Sequence, residues 1–66
     1  MIVVNGEPTA ELEPGLTVRA LLTALGAPER GVAVAVDAEV VPRGEWDAFA
    51  VPDGARVEVL TAVQGG

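Results

Sequence analysis

The sequence predicts a small α+β domain, a mixed sheet of four to five strands with one main helix packed on one face. Three observations predict it. A single helical stripe, Val18, Leu21, Leu22 and Leu25, follows the i, i+3, i+4, i+7 spacing of one apolar helix face. Short apolar or alternating runs lie on both sides of that stripe. Turn signals at Asn5-Gly6, Pro14-Gly15 and Pro52-Asp53-Gly54 separate the runs. With 66 residues the chain reads as one domain spanning 1–66. Neither cysteine nor histidine is present, so disulfides and zinc cannot staple it. The fold must rest on apolar packing, for which 50% hydrophobic residues suffice.

Met1 to Val4 is an apolar run ended by Asn5-Gly6, the pair that favours positive φ at both centres of a hairpin turn. A second strand is expected at about Thr9 to Glu13, where Ala10 and Leu12 alternate with polar residues. Thr17 is a natural N-cap for the helix, and Gly26 with Pro28 behind it ends it. Val32 to Val36 alternates valine with alanine, so Val32, Val34 and Val36 share one face, Ala33 and Ala35 the other. Asp37 to Glu39 forms a turn, and Val40-Val41 starts a strand stopped by Pro42. Gly44 to Asp47 is a loop or a single helical turn. Arg56 to Leu60 is the last strand, with Val57 and Val59 facing the core, and 61–66 forms an extended, mobile tail. The first and last strands are the most apolar, which suits central, adjacent, parallel positions. A right-handed crossover through the helix then completes the β-grasp, or ubiquitin-like, arrangement.

Composition removes many functions. Ten acidic residues against four arginines give a net charge of −6, which disfavours nucleic acid and anionic membrane surfaces. No apolar run is long enough to span a membrane, and Met1 to Gly6 lacks the pattern of a secretory signal, so the cytoplasm is the expected compartment. Without Cys, His, Lys, Tyr or Ser the common nucleophile–base pairs cannot be built, so no catalytic residue is expected. Glu45 and Asp47 are the nearest approach to a cation pair, but no calcium loop surrounds them, and no metal site is expected.

The last residues, Val63-Gln64-Gly65-Gly66, carry the strongest signal. They read either as a frayed end or as a thin arm whose terminal carboxylate enters another enzyme's active site. Gly–Gly suits the second, because the lack of Cβ permits close backbone approach. Leu60, Ala62, Ala33 and Ala35 are expected on the outer sheet face as a small, nearly charge-free docking patch beside the tail. Trp46 and Phe49 read as core filling, with the indole N–H given to a backbone carbonyl, in preference to a partner hot spot. Most of the acids read as a solvated face, some of which meet a basic partner.

Across essentially the whole chain these residues resemble the ThiS family of thiamine-biosynthesis sulfur carriers. The specific parts are Val32-Ala33-Val34-Ala35-Val36, then Val40-Val41-Pro42-Arg43 with Trp46, and the closing Val63-Gln64-Gly65-Gly66. The Asn5-Gly6 hairpin and the Thr17 helix fit any carrier of this fold. One departure is the turn after the central strand, Asp37-Ala38, where the family often has Asn-Gly. The resemblance implies a carrier and not an enzyme. An E1-like adenylating enzyme would use ATP and magnesium to adenylate the carboxylate of Gly66. Sulfur from a cysteine desulfurase or another persulfide donor would displace AMP to leave a thiocarboxylate. Thiazole synthase would use that sulfur with deoxyxylulose phosphate and a glycine-derived imine. The carrier itself would bind no cofactor. Other readings stay open: a sulfur carrier for molybdopterin, tRNA thiolation or cysteine synthesis, a protein modifier joined through Gly66, or an interaction module whose Gly–Gly is incidental.

Overall fold

The computed structural model describes residues 1–28 and 30–61. Five strands form one sheet: β1 (Ile2–Val4), β2 (Glu7–Thr9), β3 (Val32–Val36), β4 (Glu39–Val41) and β5 (Arg56–Thr61). Helix α1 (Val18–Leu25) lies between β2 and β3, and a 3-10 turn, Arg43–Glu45, follows β4. The strand order is β2-β1-β5-β3-β4. β1 and β5 are parallel neighbours and the other pairs are antiparallel, as the two apolar terminal runs predict.

Burial explains the layering. Ile2, Val34, Val36, Val41 and Val57 from one sheet face join Val18, Leu21 and Leu22 of α1 in a single core. Trp46 and Val51 of the β4–β5 connection close its side. The helix is held at both ends. Thr17 Oγ1 accepts from Ala20 N–H at 3.1 Å. Gly26 is left-handed at φ 71, and Ala27 N–H donates to Leu22 C=O at 3.0 Å, which satisfies carbonyls that the helix leaves free. An eight-residue helix is marginal alone, so its buried face supplies most of its stability. Leu22 is 5% exposed. Leu22→Ala is therefore expected to destabilise the fold by about 2–5 kcal/mol in urea unfolding. A shift within error would place that face outside the core.

The second strand differs from the expected Thr9 to Glu13. It occupies Glu7–Thr9, immediately after the turn. Asn5 at φ 50 and Gly6 at φ 82 form a two-residue turn, which sets Glu7 opposite Val4 and Thr9 opposite Ile2. β1 begins at Ile2, so its ladder offers nothing beyond Thr9. Pro8 is tolerated because β2 is an edge strand. Leu12 is buried from a turn and not from a strand. Leu25 also departs from the expected stripe. It is 42% exposed, in the last helical turn, over a groove it shares with Glu7, Thr9 and Leu12. The three-residue β2 is too short to cover it.

The β3–β4 turn carries the clearest backbone strain. Asp37 at φ 51 and Ala38 at φ 70 both stand in the left-handed region. Asp37 is compensated, since its Oδ1 accepts from Arg56 N–H at 2.9 Å. Ala38 has a Cβ and no such bond. Ala38→Gly is expected to stabilise the protein by about 1 kcal/mol, read as a higher melting temperature. A lower melting temperature would show that the turn tolerates alanine without strain.

Candidate functional site

The candidate site is the end of β5 and the sheet surface around it. β5 is the middle strand, but its two flanks end at different heights. β3 accompanies it to the end, with Ala33 opposite Leu60 and Val32 opposite Thr61. β1 pairs only as far as Val4 opposite Val57, and Asn5 N–H adds a bond to Val57 C=O at 2.8 Å. Thr61 therefore belongs to the strand and not to the tail expected from residue 61 onward. Ala62, Val63, Gln64, Gly65 and Gly66 lie outside the described residues.

Beyond Val57 the β1 side of β5 is completed by a side chain. Asn5 Oδ1 accepts from Val59 N–H at 2.9 Å, and Asn5 Nδ2 donates to Val59 C=O at 3.2 Å. The sequence assigns Asn5 to a turn alone. A contact across 54 residues leaves no local pattern by which to find it.

Period-two alternation sets the outer face. Val57 is buried and Val59 half-buried on the inner side, so Arg56, Glu58 and Leu60 point outward. Leu60 is 68% exposed beside exposed Ala33, as expected for the patch. Ala35 is half-buried. Its neighbours across the sheet are Glu58 and Val40. The patch is thus not nearly charge-free: Glu58 interrupts it, because the alternation that exposes Leu60 also exposes the residue two before it. Val40, 75% exposed, is a member the sequence reading missed. The alternation of Val40 with inward Val41 was the available signal. A shallow depression lined by Gly31, Val32, Ala33, Leu60 and Thr61 sits at the root of the tail.

The remaining candidates resolve into structure. Trp46 is 2% exposed and its Nε1–H donates to Val41 C=O at 3.0 Å. Arg19 and Arg43 lie 5.5 and 5.9 Å from its ring centre, within cation–π range. Phe49 packs partly buried against the core. Asp47 Oδ1 pairs with Arg19 Nε at 2.9 Å. The described residues hold no group of three or more side chains suited to a metal ion. They contain no buried polar or charged residue. Among the described residues the one resolved acidity shift is at Asp53. A hydrogen bond and the charge of the Met1 ammonium hold its carboxyl below the usual range. That pair stands at the opposite end of the sheet from Thr61. No described helix is long and apolar enough to cross a membrane.

Comparison with known proteins bears on the whole chain. The ThiS family model matches residues 1–66. The sulfur carrier protein ThiS of Escherichia coli is 29% identical over 66 residues, all of both chains. A thiazole synthase of Paramagnetospirillum magneticum is 38% identical over 65 residues. Those are 98% of this chain but only 20% of that relative, so the chain spans about a fifth of its length. A crystal structure of a thiamine biosynthesis protein (ThiS) from Geobacter metallireducens superposes with TM-score 0.80 at 37% identity. It covers 98% of this chain and 97% of that one. An NMR solution structure of a thiamine biosynthesis protein from the same organism gives TM-score 0.80 at 39% identity, covering 98% and 86%.

Proposed function

The chain belongs to the ThiS family, and from that premise we propose that it is a sulfur carrier of thiamine biosynthesis, modified at the carboxylate of Gly66. The observation that carries the reading is the coincidence of the family's fold, matched over the entire chain, with the terminal Gln64-Gly65-Gly66 sequence. The carrier acts as a co-substrate and not as a catalyst. A carboxylate is a poor electrophile and its adenylate a good one. An E1-like enzyme supplies that activation, consuming ATP and magnesium that the carrier does not hold. The outer sulfur of a persulfide on a cysteine desulfurase or another donor attacks the adenylate, displaces AMP and forms an acyl disulfide with the donor. A second thiol then breaks that S–S bond, leaving a disulfide on the donor side and a thiocarboxylate on Gly66. Thiazole synthase consumes it and returns the carboxylate. The matched segment of the Paramagnetospirillum thiazole synthase supports that pairing.

The residues divide the work. Gly65 and Gly66 thread into the partner's active site, and Val63 and Gln64 set the arm's extended register. Leu60, Ala62, Ala33 and Ala35 form the docking surface at its root, with Glu58 and other acids facing a basic partner. No side chain of the carrier need act chemically, which agrees with a chain lacking Cys, His and Lys. The cytoplasm is the compartment we propose for this reaction.

Intact-protein mass spectrometry tests the proposal. The protein is incubated with ATP, magnesium, a cognate activating enzyme, a persulfide donor and a thiol reductant. The expected result is a mass gain equal to replacing one oxygen by sulfur, localised to Gly66. An unchanged mass beside a control carrier that is thiocarboxylated would overturn it.

A further inference from the structure

We propose that Asn5 is a positioning residue for the C-terminal arm. β5 carries the arm, yet the β1 ladder ends two residues short of Val59. Asn5 supplies what the missing strand residue would. Its amide offers an acceptor to Val59 N–H at 2.9 Å and a donor to Val59 C=O at 3.2 Å, so one side chain satisfies both polar groups, for which a parallel strand would use two residues. Turn chemistry alone requires only that Asn5 accept φ 50. It does not require the side chain to reach across and grip the neighbouring strand at both polar groups. The grip falls two residues before Thr61, the last described residue of β5. It therefore holds the end of β5 from which the arm continues, before a partner is met. A strand end held in advance loses less freedom on docking, and that saving is expressed as affinity.

The inference rests on reading Gly66 as the modified residue, and its test separates the two. Asn5→Gly keeps a turn that accepts positive φ at both positions and removes the amide. Two readouts are taken beside wild type and Thr17→Ala, a variant that loses the helix cap far from Val59. Amide hydrogen exchange in the isolated protein should rise at least about tenfold at Val59 in Asn5→Gly relative to Val34, the loss of one to two hydrogen bonds. Thr17→Ala should leave that ratio unchanged. In the adenylation assay Asn5→Gly should raise the KM for the carrier about three- to tenfold, with kcat within about twofold. Thr17→Ala, destabilised by a comparable amount, should not change KM. Asn5→Asp keeps the acceptor and loses the donor, and should fall between.

Unchanged exchange at Val59 overturns the grip. Faster exchange with unchanged KM overturns the positioning role. A wild-type protein that takes up no sulfur overturns the Gly66 reading and with it an arm for Asn5 to position. An active wild type with an equally active Asn5→Gly overturns the Asn5 inference alone.

Discussion

Replacing Gly66 with alanine, or deleting it, is expected to abolish sulfur uptake while leaving the fold intact. The reacting atom is the terminal carbonyl carbon, and the partner's site must close around the backbone that presents it. A Cβ at residue 66 would stand beside the carboxylate, whose oxygen first attacks the α-phosphorus of ATP with loss of pyrophosphate and whose carbon is then attacked by sulfur. Deletion moves the carboxylate back by about 3.3 Å, one extended residue. Displacements of about 1 Å are enough to cost on the order of 10²-fold in a positioned reaction. The thiocarboxylate yield of either variant should fall below detection, and thermal unfolding should match wild type, since among the described residues none beyond Val59 belongs to the core. Sulfur uptake by the deletion variant at the wild-type rate would rule out Gly66 as the carrier atom. A one-residue extension after Gly66 should fail equally, whereas an incidental Gly–Gly end would tolerate it.

Trp46→Ala is expected to give the largest loss of stability. Trp46 is 2% exposed and contacts the core from the β4–β5 connection. Truncating such a residue costs about 3–5 kcal/mol. At about 0.05–0.15 kcal/mol per residue, a 66-residue domain has roughly 3–10 kcal/mol in all. Trp46→Ala should therefore unfold a large fraction of the molecules or lower the denaturant midpoint severely. Trp46→Phe separates the two contributions. It keeps an aromatic ring beneath Arg19 and Arg43 but leaves Val41 C=O without the indole donor, a loss of about 1–3 kcal/mol. Urea unfolding of both variants reads the difference. A shift below about 1 kcal/mol for Trp46→Ala would mean that the ring belongs to an interface and not to the core.

The parts legible in the sequence were those with local, redundant signals. Thr17, the Val18–Leu22 stripe and Gly26 each mark the same helix, and the structure agrees at both ends. The parallel pairing of β1 with β5 agrees with the expectation, although Val32–Val36 is a more apolar run than Arg56–Thr61. The second strand was misplaced because Ala10 and Leu12 imitate a strand, while Pro8 discourages one. A two-residue turn outweighed both, since it dictates which residue faces Val4. The outer face was legible by alternation at Ala33, Ala35 and Leu60. Its charge was not, because Glu58 becomes their neighbour only when β5 lies beside β3. Asn5 shows the limit most plainly. Its turn role is written in the dipeptide, and its grip on Val59 exists only after two distant segments meet. Gly65 and Gly66 were legible as a motif alone.

Parallel pairing of the terminal strands makes the molecule directional. Both strands start at the end where the Met1 ammonium meets Asp53. β5 then runs from Arg56 to Thr61, roughly 17 Å at about 3.3 Å per residue. The 66 residues include no lysine, so none of their side chains is a primary amine, and the amine the structure places is the Met1 ammonium. Amine-reactive coupling to a bead, a sensor surface or a fluorophore would therefore attach every molecule by the same pole. All copies would stand in one orientation, with β5 running away from the support toward its outgoing end.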